Sequence, residues 1–263
     1  MCSIALAETA ADGSAVTFQD SFETHAPGDT VGGGVPETGD SWTRLAGEPD
    51  NMTVQNGVGI NGSQAVRFTR PPGAQQAVRG ECDPRTGRIQ PHTQTTIHAD
   101  VFLKNTDQSA RLALEPRGYP GFKPTVWMKP GGAIEIWESR DGSEWRGKWV
   151  DTGAKTHAGW QTIDIVITWG PEHNRRIEGT YSVTIAHHQN RNENGTPKCI
   201  AENIPTLAVP VNTLLDVMID TTDYGNTQTP GDTVWDDVRL STSETEPTIR
   251  ADTPRENKPE RNE

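Results

Sequence analysis

The chain has 263 residues, a formal charge of −12, 32% apolar residues, and 26 glycines beside 19 prolines. The acidic balance argues against nucleic acid as a partner, because phosphate binding calls for a basic stripe, and no stretch approaches the roughly 18 apolar residues of a membrane span. Length and turn-former content suit one large domain of many short strands.

The first residues, Cys2-Ser3-Ile4-Ala5-Leu6-Ala7-Glu8, resemble the end of a secretory signal with an Ala-x-Ala site closing at Ala7. That predicts a secreted or periplasmic protein; a plain frayed arm is the other reading of 1–14. Residues 15–23 alternate as a strand, with Phe18, Asp20 and Phe22 on one face. The glycine- and proline-rich stretch 24–40 reads as a long loop, of the kind that is functional or mobile. Strand-sized runs follow at 66–69, 93–104, 110–115, 125–128, 133–138 and 145–150, with Arg140-Asp141-Gly142-Ser143 as a hairpin turn before the last. Further runs occupy 160–169, 180–187 and 214–222, with a tight link over 175–179. The closing run, 233–241, puts Val234, Asp236, Val238 and Leu240 on one face. No run has sustained helical periodicity. The tail 242–263 has almost no apolar residues and is predicted to be disordered.

These elements predict an all-β, two-sheet antiparallel β-sandwich over 15–241 whose terminal strands meet. Each terminal apolar face carries a carboxylate, and a buried carboxylate is costly unless it is hydrogen-bonded, paired or bound to a metal. Asp20, Glu23, Asp236 and Asp237 could supply oxygen ligands to a structural calcium ion. Alternatively, Asp20 and Asp236 accept backbone hydrogen bonds at the closure.

Asp20-Ser21-Phe22-Glu23 after an N-terminal strand, a downstream Trp, and the closing Val234-Trp235-Asp236-Asp237-Val238-Arg239-Leu240 resemble the concanavalin A-like (LamG-like) jelly-roll superfamily. The resemblance covers about 15–241 and marks fold more than activity. It implies a secreted bacterial protein that handles carbohydrate, whose members include lectins, glycoside hydrolases, polysaccharide lyases and non-catalytic modules. The Glu-x-Asp-x-x-Glu motif of laminarinase-like hydrolases is absent, since Glu135-Ile136-Trp137-Glu138 has the wrong spacing. The Gln-Ile-His or Gln-Val-His signature of common alginate lyases is absent as well.

Period-two reading sorts the strands into faces. Opposite Ile97, Ala99 and Val101 lie His98 and Asp100; opposite Leu112 and Leu114 lie Arg111 and Glu115; Asp164 stands opposite Ile163 and Ile165, and Asp216 and Asp220 opposite Val217 and Ile219. If one curved sheet holds these strands, its polar face gathers them all. In jelly rolls resembling this one the concave face is the usual saccharide cleft, with acids, bases and sugar-gripping groups. A solvated sheet face would carry the same pattern. Trp137, Trp145 and Trp149 crowd one hairpin region, either to stack on pyranose rings or to fill space as cross-strand pairs.

The leading expectation is a protein that binds a polysaccharide or other glycan through Asp100, Glu115, Asp164, Trp137, Trp145 and Trp149. The alternative is a polysaccharide lyase or glycosidase with His98 as base, Arg111 as neutraliser, and Tyr119 or Tyr181 as proton donor. A structural module without a sugar site is the third reading. Cys82 and Cys199 are a candidate disulfide or two unpaired thiols. The vicinal His187 and His188 point to opposite sides of a strand, which disfavours a shared zinc.

Overall fold

The computed structural model describes residues 14–71, 74–118, 124–139, 147–188, 196–221 and 231–244. The strands in chain order are β1 (Ala15–Asp20), β2 (Ser41–Ala46), β3 (Met52–Gln55), β4 (Ala65–Arg70), β5 (Ala77–Glu81), β6 (Thr93–Leu103), β7 (Ala110–Pro116) and β8 (Thr125–Met128). They continue with β9 (Ala133–Ser139), β10 (Gly147–Lys155), β11 (Gly159–His173), β12 (Arg176–His187), β13 (Lys198–Pro205), β14 (Val209–Pro210), β15 (Leu215–Asp220) and β16 (Gly231–Glu244). Two short 3-10 turns are the only helical elements among the described residues. No helix there is long and apolar enough to cross a membrane.

Two antiparallel sheets form a sandwich, as the alternating runs predict. Sheet A runs β13-β12-β11-β6-β16-β4-β3, with β1 also on β16 and β14 on β12; sheet B runs β10-β9-β8-β7-β15-β5-β2. One face of every long strand is apolar, so the two inner faces bury each other. Ile97, Val101, Ile163, Ile165 and Val183 of sheet A meet Leu112, Leu114, Val126, Ile136, Val217 and Ile219 of sheet B in one core. Removing a Leu or Ile side chain of this kind from water contributes about 1.5–3 kcal/mol. Fit is close where the sheets converge. A Cβ added to Gly80 would stand 2.3 Å from the Phe18 ring, so glycine is what lets β5 pass over β1.

The termini meet as expected: Phe18 lies opposite Leu240 and Asp20 opposite Val238. One detail differs. Val234, Asp236, Val238 and Leu240 do not share a face, because β16 carries a β-bulge between Asp236 and Arg239, with Asp237 at φ 42°. The extra residue reverses the alternation. Trp235, Val238 and Leu240 point into the core, while Val234 packs on the outside with Ala65 and Trp160.

The link predicted over 175–179 is shorter than expected. Asn174 and Arg175 both have positive φ, and His173 pairs with Arg176, so two residues turn the chain and the strands run through. The segments 140–143 and 222–230, like both chain ends, lie outside the described residues. Strands β2, β3, β5, β13 and β14 were not predicted, being short or interrupted by turn formers. Cys82 and Cys199 do not pair: Cys82 is buried with its thiol on the Gly87 carbonyl, while Cys199 is exposed on β13.

Candidate functional site

The residues expected on one polar face lie on two. β6, β11 and β16 belong to sheet A, whereas β7 and β15 belong to sheet B. His98, Asp100 and Asp164 therefore occupy the outside of one sheet, and Arg111, Glu115, Asp216 and Asp220 the outside of the other. Period two gives the face of a residue within its strand, but not the sheet to which the strand belongs. Tyr181 is corrected too: it sits in the core between the sheets, its hydroxyl donating to the backbone carbonyl of Trp137. Burial pushes that phenol well above its usual range, which suits an inert packing group. His98, Arg111 and Tyr181 thus do not converge, and Tyr119 and Trp145 fall outside the described residues.

On sheet A, His98 and Asp164 stand opposite each other on β6 and β11, and Nδ1 lies 2.7 Å from the carboxylate. The other ring nitrogen is 3.5 Å from Asp237 and 4.0 Å from Asp100. Thr162 donates its hydroxyl to Asp100 and meets His188 at 2.7 Å. Burial alone would lower the imidazole pKa, but hydrogen bonds to Asp164 and Asp237 outweigh it and raise it to about 10. Burial also pushes Asp236 up to about 6, against hydrogen bonds from Ile60, Ser63 and Asp237 that favour its charged form.

The four expected calcium ligands are dispersed among other partners. Asp20 accepts from the Phe22 amide at 2.8 Å and from the Trp42 indole at 2.6 Å, with His25 at 2.8 Å. Glu23 accepts from the Gln64 amide at 2.7 Å. Asp236 accepts from Ile60, Ser63 and Asp237. Asp20 and Asp236 thus use both carboxylate oxygens on protein donors, which is the hydrogen-bonded alternative for the closure. The bulge sends Asp237 elsewhere, to His98 and Asp100, and the ligand atoms of these three lie within 4.8 Å of one another. That group has the spacing to share a cation. Ligation needs the neutral imidazole, so protonation of His98 competes with it.

The outside of sheet B is built differently. Trp149 pairs directly with Trp137, and their rings meet edge-on with centroids 5.3 Å apart; Trp149 also lies 5.1 Å from Trp127. Trp127 and Trp137 are buried, and Trp149 keeps part of its ring exposed. Beyond this trio the β register places small side chains, Thr125 and Ala113, then Met218 and Arg79. An ion-pair network closes the row. Arg79 reaches Glu81 at 3.1 Å, Glu115 at 3.6 Å and Asp216 at 3.8 Å. Arg117 grips Asp216 through Nε at 3.0 Å and Nη2 at 2.7 Å, and Glu81 lies 3.8 Å away. Arg111 donates to Asp220 from Nε at 2.7 Å, and Lys129 reaches Glu135 at 3.0 Å while lying over the Trp127 ring.

Sequence reasoning named Glu115, Trp137 and Trp149 as candidate sugar-binding residues but missed Arg79, Glu81 and Arg117. A signal existed: in Ala77-Val78-Arg79-Gly80-Glu81 the charged residues alternate with Val78 and Gly80. Arg117 lies one residue beyond the end of β7, where alternation gives no guidance.

No family model matches the chain, and no curated protein matches it in sequence. Among solved structures it is similar to the marine PL-14 alginate lyase from Aplysia kurodai, with 9% identity and a TM-score of 0.50 over 74% of this chain and 88% of that one. It is also similar to the alginate lyase vAL-1 from Chlorella virus, with 11% identity and a TM-score of 0.48 over 73% of this chain and 89% of that one. At such identity the likeness concerns the fold, a two-sheet antiparallel sandwich.

Proposed function

We propose that this is a carbohydrate-binding protein of concanavalin A-like type, and that the outer face of sheet B is its glycan surface. The observation that carries this reading is the register-aligned row from Trp149 and Trp137 across Thr125, Ala113 and Met218 to Arg79. An aromatic platform at one end can stack on the apolar face of a pyranose. Arginines and carboxylates at the other end can hydrogen-bond its hydroxyls. Between them Met218 is half-buried, and the small side chains of Thr125 and Ala113 are buried. The fold shared with an enzyme named an alginate lyase agrees with this reading. Binding is preferred to turnover because His98, Arg111 and Tyr181, three of the residues imagined for a lyase, lie on two sheets and in the core.

The test is a glycan-array screen beside a product assay on uronate and neutral polysaccharides. Retained binding without product formation is the expected result. Trp149→Ala should weaken binding by at least about tenfold, as expected for truncating an aromatic anchor. Binding that is unchanged in this variant would remove sheet B from consideration.

A further inference from the structure

We infer that the outer face of sheet A carries a binding site for a divalent first-row transition cation of the zinc type, held by His98, Asp100 and Asp237. The site lies on the other sheet from the glycan surface and stands or falls independently of it. Period two puts His98 and Asp100 on one face of β6. The bulge in β16 leaves two residues, Asp236 and Asp237, between the inward-facing Trp235 and Val238. Asp237 therefore turns outward over β6 instead of continuing the alternation. Its carboxylate lies 3.5 Å from His98 Nε2, Asp100 lies 4.0 Å from the same nitrogen, and the three ligand atoms fall within 4.8 Å of one another. Zinc bonds imidazole nitrogen and carboxylate oxygen at about 2.0–2.2 Å, so the ligand atoms of a tetrahedral centre stand about 3.4 Å apart. Side-chain rotations of roughly 1 Å bring this set to that spacing.

The groups behind these atoms orient them as ligands. His98 Nδ1 meets Asp164 at 2.7 Å across the β6–β11 ladder. In the tautomer that donates from Nδ1, the lone pair of the neutral ring sits on Nε2, which faces Asp100 and Asp237. A carboxylate on the far nitrogen is the usual device that orients a metal-binding imidazole. Asp100 is oriented as well. One oxygen accepts from the Thr162 hydroxyl, itself 2.7 Å from His188, and the other faces His98. Asp164, Asp100 and Asp237 bring three carboxylates to one imidazole, with Arg239 opposite it across the β6–β16 ladder. Carboxylates this close repel one another, and a dication between them relieves the repulsion. The proton that His98 otherwise carries competes with the cation and passes to solvent when the cation binds. One nitrogen with two carboxylates favours zinc, cobalt or manganese over calcium, which takes about six to eight oxygens. The Asp237 side chain is 40% exposed, which gives the cation a path from solvent and lets water complete its coordination.

The experiment starts from the full chain, stripped with a chelator and desalted. Zinc, cobalt, manganese, calcium and magnesium chlorides are titrated calorimetrically, and the melting temperature is read with each. We expect zinc to bind and to raise the melting temperature as its concentration rises. Calcium and magnesium should bind at least about tenfold more weakly. His98→Gln and Asp237→Asn should each lower zinc affinity by at least about tenfold, and Asp164→Ala by about 10–100-fold through lost orientation of the imidazole. Glu48→Gln, which alters an exposed carboxylate outside the cluster, should change it less than about twofold. Circular dichroism checks the folding of each variant. NMR of the imidazole nitrogens in the wild type needs no variant: zinc should shift the His98 Nε2 resonance and leave Nδ1 protonated. Absence of zinc uptake, uptake that persists in both His98→Gln and Asp237→Asn, or an Nε2 resonance unmoved by zinc would overturn the site and leave the cluster an ion-pair network. Calcium binding as tight as zinc would overturn the class of cation.

Discussion

Arg117 holds Asp216 through two parallel hydrogen bonds, of 3.0 and 2.7 Å, on a sheet face that the sequence marks only as polar. Asp216 is fully buried, and it also accepts from the Cys82 amide at 3.1 Å. It therefore ties β15 to the end of β5 and to the residue after β7. Asp216→Ala should destabilise the fold by about 3–5 kcal/mol, because removing one partner of a buried pair strands the others. Arg117→Ala should cost less, since Arg79 remains 3.8 Å from the carboxylate. Urea denaturation of both variants checks the order, and equal losses would show that Arg79 contributes nothing.

Gly80 lets the two sheets approach closely over Phe18. Its missing Cβ leaves the space that the Phe18 ring fills. Gly80→Ala should cost about 1–3 kcal/mol by overpacking. In the double variant Gly80→Ala/Phe18→Leu, the smaller side chain relieves the clash, so the combined loss should be less than the sum of the single losses. Simple additivity in thermal melts would mean that the two positions do not share the gap.

The sandwich was legible because strong alternation survives in the long strands: Ile163, Ile165 and Ile167 on β11, and Ile97, Ala99 and Val101 on β6, admit no other reading. Adjacency of the termini was legible from the apolar faces around Phe18 and Leu240. Assignment of strands to sheets was not, because it depends on pairings far apart in sequence. Asp164 pairs with His98 across sheet A, while Asp220 pairs with Arg111 across sheet B, and nothing local distinguishes the two. The bulge at Asp236 was equally hidden. Val234 reads as inward by parity and packs outward in fact, because one extra residue resets the period.

The Asp20 carboxylate shows why a buried acid in the sequence need not signal a metal. Trp42 donates to it at 2.6 Å and also packs on Phe18 and Phe22, with ring centroids 4.9 and 6.0 Å apart. The positive φ of Phe22, 63°, is held by the hydrogen bond that its amide donates to the same carboxylate. Asp20→Ala should lower stability by about 1–3 kcal/mol for each donor left unsatisfied. Millimolar calcium should not restore the lost melting temperature, since the stabilising partners are N–H groups. Restoration by calcium, or a fall in the wild-type melting temperature on chelation that disappears in Asp20→Ala, would return the closure to the metal reading.

His98 gives the protein a pH dependence with a definite sign. It faces Asp164 on β11, Asp237 and Arg239 on β16, and Asp100 on its own strand. Its pKa is raised from 6.5 to about 10, so the folded state holds a proton that the unfolded chain releases earlier. The resulting stabilisation is fully present below pH 6.5 and is lost as pH rises toward 10. Asp236, pushed up to about 6, acts in the same direction at lower pH, its charged form being the less favourable one in the fold. Unfolding free energies of the wild type should therefore decline between pH 6.5 and 10, and those of His98→Gln should be flatter over the same interval. Parallel curves would show that the imidazole is not the group responsible. An NMR titration of the His98 ring gives the independent measurement: a midpoint near 6.5 would mean that the carboxylates around it do not hold its proton.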